Sequence, residues 1–96
     1  MMNMKEMGTL YLMLADAGIP CEARELYDGM QICYPSIAMC VCDAICHSGS
    51  YGHEKGLLEI MGLVDEEAVG DSVEGYLTAE EVFKRISEHY KSCKVG

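Results

Sequence analysis

The stretch CEARELYDGMQICY, residues 21–34, decides the fold. It consists of two short runs, Cys21–Tyr27 and Met30–Tyr34, on either side of the dipeptide Asp28-Gly29. A two-residue Asp-Gly loop favours a type I′ turn, whose twist matches that of two paired strands. The stretch therefore predicts an antiparallel β-hairpin.

The turn also predicts how the side chains of the hairpin are distributed. Pairing across it sets Tyr27 opposite Met30. Because successive side chains of a strand point to opposite faces, Ala23, Ile32 and Tyr34 then share one face. We expect this face to contribute to the core.

The next segment, SIAMCVCDAICH at 36–47, predicts a third strand with two unlike faces. One face consists only of small residues: Ala38, Cys40, Cys42, Ala44 and Cys46. The other face carries larger apolar residues and one acid: Ile37, Met39, Val41, Ile45 and Asp43. Small side chains let a helix approach closely, and cysteine there behaves as a small buried hydrophobe.

Helices are predicted at both ends of the chain. Apolar residues recur at three- and four-residue steps over residues 3–17, and Gly18 suits the left-handed position after a helix. The last helix is predicted over 79–92, because Thr78 and Glu81 have the spacing of a capping box at its start.

Leu57–Met61 fits a short strand or one turn of helix, and read as a fourth strand it completes the predicted order α-β-β-β-(β)-α. We therefore expect one domain, residues 1–96, with an α+β fold: a small antiparallel sheet of three to four strands, packed by an N-terminal and a C-terminal helix. Half of the residues are apolar and 24 % are charged, which is typical of a globular protein and not of a disordered chain.

The cellular setting follows from what the sequence lacks. No apolar run approaches the roughly 18 residues that a membrane span requires. The segment at 1–20 has one Lys beside one Glu and no small-residue cleavage site, so neither a signal peptide nor a transit peptide is predicted. We expect a cytoplasmic protein, in which cysteines stay reduced.

Acidic residues are concentrated in one part of the chain. The 16 acidic and 7 basic residues give a net charge of −9, and residues 54–81 alone carry nine acids and one base. The nine acids, which we predict to form a partner-binding surface, are Glu54, Glu59, Asp65, Glu66, Glu67, Asp71, Glu74, Glu80 and Glu81.

This charge distribution predicts the class of partner. Direct binding to nucleic acid is disfavoured, because no basic stripe exists that could release counterions from phosphates. A focused negative field suits a basic protein surface and speeds the encounter with it. The alternative is that the acidic surface only keeps the protein soluble.

Six cysteines allow a second hypothesis, a zinc-stabilised regulatory or assembly module. The candidate ligands in the region 33–53 are Cys33, Cys40, Cys42, Cys46, His47 and His53. No C-x₂-C pair occurs, and on a strand Cys42 and Cys46 lie about 13 Å apart, whereas sulfurs on one tetrahedral zinc are about 4 Å apart. We therefore predict no cofactor and keep zinc as the alternative.

The sequence contains no assembled catalytic constellation. Cys46 and His47 are adjacent, so on a strand they face opposite ways and cannot act as nucleophile and base. We predict a protein that is not an enzyme. In the glycine-rich loop 48–56, Tyr51 and His53 are candidate contact residues, because loop aromatics flanked by glycine are often exposed. The alternative for Tyr51 is that it folds back and caps the sheet.

Three segments between Tyr34 and Tyr90 carry a resemblance to known proteins. They are YPS at 34–36, HSGSYGHEKGLLEIMGL at 47–63 and DSVEGYLTAEEVFKRI at 71–86. In these segments the chain resembles a type of small protein encoded in prophages and mobile elements of gut bacteria. The cysteines at 40, 42 and 46 are not part of this pattern.

The resemblance implies a phage-type setting in a bacterial host. Small acidic proteins from such settings include inhibitors of bacterial defence, of which anti-CRISPR proteins are the clearest instance. Anti-CRISPR proteins occupy basic surfaces of RNA-guided nucleases that otherwise hold nucleic acid. We therefore expect a small acidic binding protein that inhibits a bacterial defence system, with a type II CRISPR effector nuclease as the expected partner.

Overall fold

A computed structural model describes residues 3–64 and 73–94 of the chain. The elements are α1 (Lys5–Asp16), β1 (Glu22–Leu26), β2 (Gly29–Pro35), β3 (Cys40–Cys46), a single 3₁₀ turn (His53–Lys55), β4 (Leu58–Met61), β5 (Val73–Leu77) and α2 (Ala79–Lys94). The α+β fold with a helix from each end of the chain is confirmed. The sheet has five strands, and β5 is the one that the sequence pattern did not predict.

The sheet is an antiparallel meander with both helices on one face. Its order follows the chain, β1-β2-β3-β4-β5, and every neighbouring pair is antiparallel. Helix α1 contacts β3, α2 contacts β4, and the two helices contact each other. One cluster of buried side chains lies between helices and sheet, and it includes Leu10, Leu14, Ile32, Cys42, Ala44, Cys46, Leu58, Ile60, Leu77, Val82 and Ile86. The opposite face of the sheet carries no helix of the described chain.

The small-residue face of β3 packs under the helices, as predicted, over part of its length. Cys42, Ala44 and Cys46 are buried there. Cys40 is exposed instead. The reason is an irregularity in the register: Tyr34 pairs with Cys42 but the next residue, Pro35, pairs with Cys40. Such a bulge leaves one residue of β3 unpaired and breaks the alternation of its side chains.

The hairpin at 21–34 is confirmed, but its predicted register is wrong. Met30 pairs with Glu25 and not with Tyr27, and the closing pair is Leu26 with Gly29. The two loop residues are therefore Tyr27 and Asp28. Tyr27 has φ 56, whereas Asp28 is not among the residues with positive φ, so the turn is not type I′.

Packing against β3 explains why Gly29 belongs to the strand and not to the turn. A Cβ atom on Gly29 would lie 1.8 Å from the carbonyl oxygen of Cys46. Only glycine allows this approach of the two strands. The observed pairing is shifted by two residues from the predicted one, and because side chains alternate with a period of two, the predicted faces are kept. Ala23 pairs with Ile32, on the same side of the sheet as Tyr34.

Local signals at the helix ends agree with the structure. Gly18 has φ 71 and follows the end of α1. At the start of α2, the Glu81 N–H donates to Thr78 Oγ1 over 3.2 Å and the Thr78 N–H donates to Glu81 Oε1 over 3.0 Å. The Ala79 N–H donates to the Glu6 carboxylate over 2.7 Å, which connects the two helices. In the described part of the chain, neither helix has the length and apolar character needed to cross a bilayer.

Candidate functional site

The nine predicted partner-binding acids are only partly described by the structure. Asp65, Glu66, Glu67 and Asp71 lie outside the described residues. The other five are Glu54, Glu59, Glu74, Glu80 and Glu81, and they lie on the 3₁₀ turn, on β4, on β5 and at the start of α2.

Four of these five carboxylates bind other parts of the fold, that of Glu54 through the Tyr76 side chain. Glu74 on β5 forms an ion pair with Arg85 on α2. Glu59 accepts a hydrogen bond from the Tyr51 N–H over 2.8 Å, and Glu81 accepts one from the Thr78 N–H in the capping box. These contacts hold loops and elements in place. The sequence predicted this role for Glu81, through the capping box, but not for Glu59 or Glu74.

Glu54 and Glu80 are both exposed. Glu80 lies in the first turn of α2, where a negative charge is favoured by the helix dipole. The pKa of the Glu54 carboxyl is lowered mainly by a hydrogen bond from its own backbone N–H, and to a smaller extent by a hydrogen bond from the Tyr76 side chain. The same hydrogen bond raises the pKa of Tyr76. A partner-binding role for the acidic set stays a prediction.

The loop residues Tyr51 and His53 have different environments. The Tyr51 side chain is 64 % exposed, and its backbone carbonyl accepts a hydrogen bond from the Tyr76 N–H over 3.3 Å. His53 is half-buried, and its Nδ1 donates to the Ser50 carbonyl over 2.7 Å. His53 thus shapes the loop, whereas the Tyr51 ring is accessible to a partner.

The cysteines of the region 33–53 divide between the two faces of the sheet. Cys42 and Cys46 are buried under the helices, whereas Cys33 and Cys40 lie beside each other on the opposite face. Within residues 3–64 and 73–94, no three His, Cys, Asp or Glu side chains are grouped as a metal site requires. Burial raises the pKa of Cys42 to about 12, so this thiol holds its proton and is a poor ligand or nucleophile.

One further side-chain cluster contains a thiol and an imidazole. The Tyr34 hydroxyl and His89 Nδ1 are 2.7 Å apart, and Cys93 Sγ lies 3.7 Å from His89 Nε2. Sequence reasoning did not find the Tyr34–His89 contact, because 55 positions separate the two residues. Cys93 is exposed in the last turn of α2.

The uncovered face of the sheet, which we call the open face, contains a groove of about 490 Å³. The residues that line it come from β1, β2, β3, β4 and the segment between β2 and β3, and they are Arg24, Gln31, Cys33, Ile37, Cys40, Val41, Asp43, Met61 and Gly62. A chain of hydrogen bonds crosses the groove. Arg24 Nε donates to Gln31 Oε1 over 2.6 Å, and Gln31 Nε2 donates to Asp43 Oδ2 over 2.6 Å.

Large apolar side chains surround this polar chain. Ile37, Val41 and Met61 line the groove with 40–54 % of their surface exposed, and Met39 in the adjoining loop is 74 % exposed. The sequence pattern assigned Ile37, Met39 and Val41 to the face of the third strand opposite the small residues. It did not indicate that no helix would cover that face.

No protein-family model matches the chain, and no curated protein or solved structure is similar to it. The resemblance to prophage proteins therefore stays a prediction.

Proposed function

We propose that the chain is a non-enzymatic binding protein that contacts a protein partner with the open face of its sheet. The observation that carries the proposal is the group of exposed apolar side chains Ile37, Val41 and Met61 that line one groove, with the exposed Met39 in the adjoining loop. Contiguous exposed apolar residues on a small domain are typical of interaction sites. Methionine is enriched in such sites, since its flexible side chain adapts to a partner.

The arrangement of the groove favours a protein over a small molecule. Small-molecule sites usually bury apolar side chains inside a cavity and add a few free polar groups. Here Arg24, Gln31 and Asp43 cross the groove, and Gln31 is bonded to both of the others. The apolar side chains stand outside them with much of their surface in solvent. This is the pattern of a surface that packs against another surface.

The same arrangement supports the non-enzymatic part of the proposal. Both ends of the Gln31 amide are bonded, and one Asp43 oxygen accepts from it. Burial is the main reason that the pKa of Cys33 rises to about 11, so its thiol stays protonated near neutral pH. A base or nucleophile poised near pH 7 would need the opposite shift.

The charge of the chain adds a partner class to the proposal. A net charge of −9 attracts a basic protein and raises the rate of encounter, while the apolar side chains provide the short-range contact. With the prophage resemblance, the most specific form of the proposal is an inhibitor that covers a basic, nucleic-acid-binding surface of a type II CRISPR effector nuclease.

The binding surface is tested with a pair of matched variants. The double variant Val41→Glu/Met61→Glu places two charges on the open face. The control, Leu12→Glu, places a charge at an exposed position of α1, on the helix side of the sheet. Each protein is used as bait in host lysate at low and high salt. We expect a partner that wild type and Leu12→Glu retain and that the open-face variant loses. Retention by all three would contradict the open face as the binding surface.

The specific form is tested with purified nucleases. DNA cleavage by several type II effectors is measured with wild type, with Val41→Glu/Met61→Glu and with Leu12→Glu. We expect wild type and the control to reduce cleavage and the open-face variant to lose at least about tenfold in potency. Undiminished cleavage by every nuclease would exclude this target class.

A further inference from the structure

We propose that β1 is a self-association edge, through which two copies of the chain pair β1 with β1 in antiparallel fashion and join their five-stranded sheets into one. The proposed edge adjoins the open-face groove and shares Arg24 with it, but the pairing does not depend on the proposed function. It rests on the free edge of β1, on the charges along that edge and on the apolar groove beside it.

Strand β1 is the first strand of the sheet and pairs with β2 only. Four of its five residues are exposed and the fifth, Leu26, is half-buried. Among the described residues, no backbone hydrogen bond reaches the outer side of β1. A free edge of this kind is a template for pairing with another strand, and the charged side chains of Glu22, Arg24 and Glu25 restrict which pairing it accepts.

The hairpin register determines which backbone groups point outward. Leu26 and Gly29 close a two-residue loop and bond to each other, and inward bonding then alternates along the strand. Glu22, Arg24 and Leu26 therefore bond to β2, whereas the N–H and C=O groups of Ala23 and Glu25 point away from the sheet.

Charge selects one register for the pairing. Centring the two-fold axis on Glu22, Arg24 or Glu25 puts like charges directly opposite each other, which is destabilising. Centring it on Leu26 would require the turn residues to join the ladder. With Ala23 on the axis, no like charges meet, and Glu22 of each copy lies opposite Arg24 of the other.

The Ala23 register also satisfies the backbone. Ala23 bonds to its own counterpart, and Glu25 bonds to the residue Cys21 of the second copy, which gives about six hydrogen bonds across the axis. Glu22 and Arg24 form the non-hydrogen-bonded pairs, whose side chains are closest, with Cβ atoms about 4.5–5.5 Å apart.

The side chains of Glu22 and Arg24 are each held by one hydrogen bond within the chain, and each has further polar atoms available for a second copy. Glu22 Oε1 accepts from the Ile37 N–H over 2.9 Å, and no described residue donates to Oε2. Arg24 Nε donates to Gln31, while its two Nη atoms have no hydrogen-bond partner among the described residues. In the dimer, Asp43, Gln31 and Arg24 continue as one polar chain to Glu22 of the second copy.

An apolar groove on the helix side reaches the same edge. It measures about 340 Å³ and is lined by Met4, Met7, Gly8, Tyr11, Ala23, Met30 and Ile32. Ala23, the residue on the axis, is part of it, and Tyr11 is 45 % exposed beside it. The two-fold axis brings the grooves of both copies together under their α1 helices, so apolar surface that one copy exposes to water faces apolar surface of the other.

The first experiment uses charge exchange. Sedimentation equilibrium is measured at 0.15 M salt, where the Debye length of about 8 Å screens the overall repulsion between acidic chains. We expect wild type to reach twice the 10.6 kDa of one chain. Glu22→Arg alone and Arg24→Glu alone should each weaken association at least about tenfold. An equimolar mixture of these two variants should form a dimer again, because every opposed pair is then of opposite sign.

The second experiment needs no variant. Amide exchange of wild type is followed by NMR as concentration rises. We expect the Ala23 and Glu25 amides to become protected with concentration, whereas the Arg24 amide is protected throughout. A wild-type chain that stays monomeric at about 0.5 mM overturns the proposal. The proposal is also overturned if the dimer persists in the Glu22→Arg or the Arg24→Glu variant, or if the dimer leaves the Ala23 and Glu25 amides unprotected. If the variants do not fold, amide exchange alone decides.

Discussion

The carboxylate of Glu74 on β5 and the guanidinium of Arg85 on α2 form a two-pronged ion pair. Arg85 Nη2 donates to Glu74 Oε2 over 2.8 Å, and Nη1 donates to Oε1. Nη1 also donates to the Leu63 carbonyl over 3.3 Å. About a fifth of each charged side chain is exposed, so the pair is partly desolvated. It joins the last strand of the sheet to the helix that packs on it.

We expect Glu74→Gln to lower the free energy of unfolding by about 1–2 kcal/mol, because the variant loses a charge-assisted, two-pronged contact to the partly buried Arg85 guanidinium. Urea unfolding measures the effect. Glu88→Gln, at an exposed position of the same helix, is the control and should change stability by less than about 0.5 kcal/mol. Equal effects of the two substitutions would contradict the role assigned to Glu74.

Two glycine-to-alanine substitutions should change the free energy of unfolding in opposite directions. Gly29→Ala is expected to destabilise the protein by at least about 2 kcal/mol, because its Cβ would lie 1.8 Å from the backbone oxygen of Cys46. Gly8→Ala, in α1, meets nothing within 4 Å and should stabilise by about 1 kcal/mol through helix propensity. Thermal and urea unfolding of both variants check this. A neutral Gly29→Ala variant would argue against the observed hairpin register.

The contact between Tyr34 and His89 joins β2 to α2. Tyr34→Phe removes the hydroxyl and leaves the half-buried imidazole without its 2.7 Å partner, so we expect a loss of about 1 kcal/mol in urea unfolding. Tyr27→Phe is the matched control, since the Tyr27 side chain is 85 % exposed, and it should be close to neutral. The prediction fails if Tyr34→Phe is as stable as wild type.

Burial of Cys42 makes stability depend on alkaline pH. The pKa of Cys42 is raised to about 12 in the fold, above the roughly 8.5 of a free thiol. The folded state therefore holds the proton more tightly than the unfolded state. This contribution to stability is complete below about pH 8.5 and is lost as the pH rises through about 12.

The measurement is urea unfolding between pH 7.5 and 10.5 with reductant present. Cys42→Ala should lose less stability over this range than wild type, because the thiol with the shifted pKa is absent. Cys93→Ala, which removes an exposed thiol, should follow wild type. Parallel curves for wild type and Cys42→Ala would show that the ionisation of Cys42 does not contribute.

Much of the architecture could be predicted from short-range patterns. The hairpin, the capping box at Thr78 and Glu81 and the end of α1 before Gly18 all depend on residues within a few positions of one another. Strand β5 escaped prediction because Val73–Leu77 contains a glycine and an acid and has no clear alternation. Its main-chain pairing with β4 supplies the stabilisation that its own sequence does not indicate.

The candidate site was less predictable than the fold. The acidic residues were grouped by their positions in the sequence, yet Glu74 binds Arg85 and Glu59 binds the Tyr51 N–H, so some of the predicted partner-binding acids stabilise the fold instead. The apolar face of β3 was visible in the alternation of Val41 and Ile45. Whether a helix would cover that face could not be deduced, because it depends on which side of the sheet the helices pack.

The sequence by itself determined the α+β class, the helix ends and the small-residue stripe of β3, because turns, caps and side-chain alternation are properties of neighbouring residues. Only the tertiary structure decided the register of the hairpin, through the approach of Gly29 to Cys46, and the uncovered face of the sheet. These features arise from contacts between residues that are distant along the chain, and their energies depend on how the elements pack in three dimensions.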